Sequence, residues 1–278
     1  MGSNLSAEIQ EIGFTVVEGV IPPEAAAHIR DRILEVHESE AEANRLREEQ
    51  IRAQGHRVGA QGVNASVMLI NSNQDFAPYL ADPRVLGVAS EFFGPFVRIA
   101  SVGGIITNPG NARGYWHADW PYNQTNAAHI PAPYPDVPMV LSTLWMLTPF
   151  TVENGGTLLV PRSHRRPDNP SGANGFDRDA RHPDEVHAAG SAGSVLLYDA
   201  RLWHSVAPNR TTRPRVALSV RYAPWWLNLN PETAGTPEHT MMAVERQGKS
   251  GNLPPLRPEV YESLPDNVKP LFRHALQK

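Results

Sequence analysis

The ten residues GYWHADWPYN, 114 to 123, carry His117 and Asp119 one residue apart between Trp116 and Trp120. In an extended chain, residues i and i+2 point to the same face. One imidazole nitrogen and one carboxylate oxygen can therefore reach a common point. Two His and one carboxylate on one side of a metal suit non-haem Fe(II), because the opposite positions stay open for small ligands. A lone His-x-Asp pair is weak evidence and is more often an aromatic strand that carries two polar side chains, so a third ligand is required. His204 meets that need in the run GSVLLYDARLWHSVAPNRTTRPRVALSVRY. Eleven residues later comes Arg215, on a strand face with Ala217 and Ser219, while Val216, Leu218 and Val220 take the other face. A guanidinium flanked by small residues and pointing into a barrel needs an anionic partner. A dicarboxylate satisfies it through a bidentate contact.

These residues need a scaffold. The chain has 278 residues, 41% of them hydrophobic, with 26 prolines and 21 glycines. That composition supports a sizeable core with many turns and argues against a helical bundle. The run PPEAAAHIRDRILEV sets Ala26, Ile29, Ile33 and Val36 at helical spacing. Residues 38 to 54, rich in Glu and Arg, read as an exposed continuation held by i,i+4 pairs. Residues 55 to 66 read as a loop. A second helix has Asp82 as N-cap, Pro83 in its first turn and Gly94 as stop, with Leu86, Ala89 and Phe93 on one side. The segment 12 to 21 and those beginning near 96, 114, 139, 155, 193, 202 and 215 read as short strands bounded by Gly, Pro, Asn or Asp. The pattern predicts a mainly β fold, a two-sheet sandwich or open barrel with flanking helices. One domain over 1–278 is expected, with long loops at 121–138 and 165–192 and a tail, 227–278, that is helical in parts.

Composition excludes several classes. The chain has no cysteine, so thiolate metal sites, disulfides and Cys nucleophiles are ruled out. The net charge of −4 is spread along the chain, which argues against nucleic acid as a partner. The start, MGSNLSAEIQEIGF, lacks a basic region followed by an apolar run, and no stretch of about 18 apolar residues occurs. A cytoplasmic protein without membrane association is the expectation.

Four segments, in order, resemble the phytanoyl-CoA dioxygenase family of Fe(II)/2-oxoglutarate-dependent oxygenases. They are GFTVVEGVIPPEAAAHIRDRI, YWHADW, ENGGTLLVPRSHR and the block holding His204 and Arg215. The resemblance spans about residues 12 to 226. It implies a double-stranded β-helix core of the jelly-roll, cupin-like kind. It implies iron held by His117, Asp119 and His204, and 2-oxoglutarate held at its distal carboxylate by Arg215. It also places Trp145 beside the cosubstrate and Thr157 in a position that bonds it in some members. The implied reaction consumes O2 and 2-oxoglutarate, releases succinate and CO2, and oxidises a C–H bond; the retained Asp119 favours hydroxylation, or a radical variant such as desaturation, ring closure or epoxidation, over halogenation. Three positions depart from the common pattern: Ala118 replaces Gln, Val206 replaces a small hydroxyl residue, and Asn108 replaces Lys.

The substrate is expected to be a small molecule, with natural-product biosynthesis as the preferred setting. Trp120, Tyr122 and Trp203 flank the ligands and are candidates to line its pocket. Arg57 and Arg113 are candidates to meet an anionic group. Trp225 and Trp226 are expected to pack structurally, and His164 to shape its loop; the remaining histidines lack partner spacing. Two other readings keep the same scaffold. A cupin-like metalloenzyme that does not use 2-oxoglutarate would not need Arg215. A non-catalytic jelly-roll binding protein would be expected to have lost a ligand.

Overall fold

The computed structural model describes residues 4–250 and 253–276. Gln277, at the end of the tail expected to be helical in parts, lies outside them. Among the described residues, nine strands form two antiparallel sheets. β1 (Phe14–Val17), β2 (Val63–Ser66), β3 (Val97–Thr107), β4 (Leu141–Met146), β7 (Val195–Asp199) and β9 (Arg215–Pro224) make the larger sheet, in the order β1-β7-β4-β9-β3-β2. β5 (Leu158–Leu159), β6 (Val186–His187) and β8 (His204–Ser205) make the smaller one, in the order β6-β5-β8. This is the jelly-roll arrangement that the sequence resemblance implied.

The larger sheet has an outer and an inner face. On β9, Val216, Leu218, Val220 and Tyr222 join the main hydrophobic cluster, together with Ile29 and Ile33 of α2 (Pro23–Ser39). The opposite alternation, Arg215, Ala217, Ser219 and Arg221, faces the smaller sheet. Ala217 there packs in a second cluster with Leu144, Met146, Leu196, Tyr198 and Leu159. The tail belongs to the same body, because Leu256, Val260, Leu264, Val268 and Phe272 all enter the main cluster.

Several elements differ from the sequence reading. A helix not expected, α1 (Leu5–Ile12), is capped by Asn4, whose Oδ1 accepts from the Ala7 amide at 3.1 Å. The acidic-basic run breaks at Glu40 into a separate helix, α3 (Ala41–Ala53). Its i,i+3 and i,i+4 pairs are present, Arg45 with Glu42 and Glu49, and Arg52 with Glu48. Val63–Ser66, expected in a loop, pairs with β3 as an edge strand. The α4 helix (Pro83–Phe93) has the expected Asp82 cap, but its buried stripe is Val85, Val88, Ala89 and Phe93, with Leu86 at the margin. Trp225 and Trp226 do not pack inside: they are 61% and 53% exposed, and the Val97↔Pro224 register sets exposed Phe96 beside them. Among the described residues no helix is long and apolar enough to cross a membrane.

Two predictions follow from this packing. Gly193 sits at φ +89°, accepts from the amides of Val20 and Ile21 at 2.9 Å, and lies where a Cβ would be 1.9 Å from the Ile21 carbonyl oxygen. Gly193→Ala is expected to lower the melting temperature by roughly 5 °C or more, since the left-handed region alone costs a side chain roughly 1–2 kcal/mol. Burial, with Arg98 nearby, holds His274 neutral down to about 4. The unfolded chain takes up that proton near 6.5, so stability is intact at neutral pH and declines as pH falls from 6.5 toward 4. Urea denaturation at pH 7 and pH 5 should show this loss, and His274→Gln should reduce it.

Candidate active site

The segment 114–120 is not the regular strand that its alternation suggested. Its amides bond to four separate places: Gly114 to Val206, Trp116 to Arg178, His117 to His204 and Asp119 to Ala200. Only His117 makes a β-bridge, with His204. That bridge is reciprocal, with both N–H···O distances near 3 Å, and it adds His117 to the free edge of the smaller sheet beside β8. Trp116, Ala118 and Trp120, which alternation alone would set on one face, divide between two clusters. Trp116 packs with Leu158, Val160 and Trp203, whereas Ala118 and Trp120 pack in a cluster with Tyr122 and Val140.

The ligand atoms of His117, Asp119 and His204 lie within 4.8 Å of one another. The ring centroids of the two histidines are 4.2 Å apart, and His204 Nε2 is 3.7 Å from Asp119 Oδ1. Each imidazole is oriented by its own backbone. His117 Nδ1 bonds to the Tyr115 carbonyl oxygen at 3.1 Å, and His204 Nδ1 to that of Leu202 at 2.9 Å. A ring held this way donates from Nδ1 and leaves the Nε2 lone pair for a metal. Burial, and then the neighbouring His204, push His117 down to about 3, so it is neutral and able to ligate at physiological pH.

Asp119 is 6% exposed, and burial alone would raise its pKa. The Arg221 charge, with the hydrogen bond from Ser142, reverses the sign and holds it far below the usual carboxylate range. Its Oδ2 accepts from Ser142 Oγ at 2.7 Å and from Tyr198 OH at 3.0 Å. Its Oδ1 accepts from Arg221 Nη2 at 2.9 Å. Ser142 and Tyr198 meet because they are register partners on β4 and β7. A two-nitrogen, one-oxygen donor set with no thiolate and an ionised carboxylate fits a divalent iron-type metal.

Arg215 is 2% exposed, and burial pushes it down to about 10. Nη2 donates to Thr107 Oγ1 at 2.7 Å, and the guanidinium lies 4.3 Å over the Phe150 ring. Its Nε and Nη1 are buried without partners. Unmet donors on a buried cation are costly and fit the carboxylate of an anionic cosubstrate.

The other expected site residues divide. Trp120 lines a cavity of about 350 Å³ that also reaches His117 and Asp119. Tyr122 and Trp203 do not line it. Tyr122 donates to the Val137 carbonyl and packs edge-on against Tyr134, and Trp203 packs against Phe176 under Arg166. Trp145 is on the outer face of β4, in the helix-side cluster, with its indole bonded to Thr143. Trp145 therefore does not share the inner face that carries Arg215, because positions 142, 144 and 146 of β4 point inward. Thr157 is buried at the entrance to β5. Arg57 and Arg113 are engaged elsewhere, paired with Asp179 and Glu185. His164 bonds to the Gln10 carbonyl and fixes its loop against α1, as expected.

Reading the sequence missed Arg221, Ser142 and Tyr198. Arg221 was accessible to the period-2 rule, since it continues the Arg215, Ala217, Ser219 face. Ser142 and Tyr198 carried no local signal.

The phytanoyl-CoA dioxygenase family model matches residues 9–217. The chain belongs to the phytanoyl-CoA dioxygenase family. It is thus an iron- and 2-oxoglutarate-dependent oxygenase by class. The Mycobacterium tuberculosis protein "Uncharacterized protein Rv1501" is 28% identical over 218 residues, covering 76% of this chain and 71% of its own length. "Dioxygenase af480" of Aspergillus fumigatus is 28% identical over 61% of this chain and 52% of its own. In fold, the chain is similar to iron-bound HygX of Streptomyces hygroscopicus, with a TM-score of 0.58 and 17% identity over 84% of this chain and 93% of that one. It is also similar to the epimerase SnoN, with a TM-score of 0.54 and 19% identity over 79% and 82%.

Removing a ligand and removing a ligand's support should differ in size. By calorimetry with Ni(II), His204→Ala is expected to lower affinity by at least about 100-fold. Tyr198→Phe, which takes one hydrogen bond from Asp119, is expected to lower it by about tenfold.

Proposed function

We propose that this protein oxidises a C–H bond of a small organic molecule, with hydroxylation as the outcome. In this reading His117, Asp119 and His204 hold Fe(II). Arg215, braced by Thr107, holds the distal carboxylate of 2-oxoglutarate, and Thr157 stands alongside. The bound iron and cosubstrate supply the chemistry R–H + 2-oxoglutarate + O2 → R–OH + succinate + CO2.

The protein's part is placement and exclusion. Ser142, Tyr198 and Arg221 keep Asp119 ionised and in one orientation. The backbone bonds of His117 and His204 fix both rings with Nε2 presented. The cavity bordered by Trp120 opens onto the same side of the site and is large enough for a small-molecule substrate. Two structural neighbours support that substrate class. SnoN has been solved with nogalamycin RO, and HygX with nickel, 2-oxoglutarate and hygromycin B. A setting in natural-product biosynthesis is favoured by the same neighbours.

The single observation that carries the cosubstrate is Arg215, a buried cation with two donors unmet. A cupin-like enzyme independent of 2-oxoglutarate has no use for it. With Fe(II), O2 and 2-oxoglutarate, the wild-type protein is expected to form succinate, slowly even without its substrate. Arg215→Ala should raise the KM for 2-oxoglutarate by roughly 100-fold, as losing one partner of a buried charge contact costs roughly 2–5 kcal/mol. Succinate absent from the wild-type reaction, or an unchanged KM in the variant, would sink this reading.

A further inference from the structure

The cavity beside the metal ligands is lined by three cations from separate elements, Arg47 of α3, Arg221 of β9 and Lys249. Arg221 is balanced by Asp119 at 2.9 Å, and the charge of Glu232 on the same wall adds to its stabilisation. The other two make no ion pair among the described residues. Arg45 and Arg52 of α3 pair with glutamates on the outer side of the helix, but Arg47 has no carboxylate partner and donates only to the Ala65 carbonyl, at 3.0 Å. Lys249 has no ion-pair or hydrogen-bond partner for its ammonium among the described residues. Both are only partly exposed.

Tertiary contacts bring these two cations together. α3 and the segment before Ser250 form a roof over the cavity, joined where His56 Nε2 bonds to the Gln247 carbonyl at 2.9 Å. The backbone of Lys249 is pinned in turn, its carbonyl accepting from Ala127 at 2.9 Å. Two unpaired cations in a half-enclosed pocket attract and hold an anion.

We infer that Arg47 and Lys249 form a substrate-anchoring site, and that the substrate carries a carboxylate, sulfonate or phosphate group that docks under the roof while its reacting carbon faces the metal. This inference rests on the reading of the cavity as the substrate pocket. It also replaces Arg57 and Arg113, the arginines that sequence proximity suggested, with two that are distant in sequence and free of carboxylate partners.

The test uses Ni(II)-loaded protein saturated with 2-oxoglutarate, so that Arg215 and the metal are already engaged. Naphthalene-2-sulfonate and its neutral isostere naphthalene-2-sulfonamide are titrated by calorimetry. The sulfonate is expected to bind at least about tenfold more tightly, the scale of a charge-assisted contact. Arg47→Gln with Lys249→Gln should abolish the preference, and Lys249→Arg should retain it. Arg45→Gln, which changes a paired cation on the outer side of α3, should leave it intact. Equal affinities, no sulfonate binding, a preference that survives the double variant, or one lost in Arg45→Gln would each overturn the anchoring site. 2-Oxoglutarate binding is titrated first. A protein that fails to bind it overturns the cosubstrate reading alone, and the sulfonate comparison is then scored with Ni(II) only.

Discussion

The structure depends on one buried carboxylate. Asp119 sits where the two sheets approach, and it is ionised in a place where burial favours the neutral acid. Three groups reverse that preference: Ser142 of β4, Tyr198 of β7 and Arg221 of β9. These are adjacent strands of the larger sheet. The amide of Asp119 bonds to Ala200, just past the end of β7. The carboxylate therefore ties the 114–120 segment to the inner face of the larger sheet, while the His117–His204 bridge ties it to the smaller one. Metal-ligand geometry and inter-sheet packing are the same set of contacts, so neither relaxes without the other.

Strand β9 shows how little sequence is needed to divide labour inside such a barrel. One alternation builds the apolar core with the helices, through Val216, Leu218, Val220 and Tyr222. The other places two guanidiniums on one inward face, separated by Ala217 and Ser219. They have opposite fates. Arg221 finds Asp119 and becomes part of the ligand's support. Arg215, six residues earlier, finds only a threonine hydroxyl and an aromatic ring, and keeps donors in reserve. The difference is set by which strand positions lie across from each, and in the proposed reading it separates a positioning role from a binding one.

Much of this was legible before any coordinates. The helix carrying Ala26, Ile29, Ile33 and Val36, the Asp82 cap and the β9 alternation are local patterns, and local sterics and burial decide them. The expected strand at 114–120 fared differently. Its aromatic alternation is real, but its amides are shared among four partners, which alternation cannot encode. Trp145 and Trp203 illustrate the same gap. Each is close in sequence to strands or ligands of the site, yet each packs on a face turned away from the cavity.

The sequence by itself determined the chemistry available: no thiolate, a His-x-Asp pair, a distal His, and an Arg on an inward-facing alternation. It also determined the family, because motif order survives at low identity. Only the tertiary structure decided which groups support Asp119 and which cations line the cavity. Ser142 and Tyr198 meet through strand register, and Arg47 and Lys249 line one cavity because α3 and a segment some 200 residues later close over it. The physical reason is that a hydrogen bond or an unpaired charge is defined by what lies across from it in space. Side-chain type and spacing along one element carry no record of that partner.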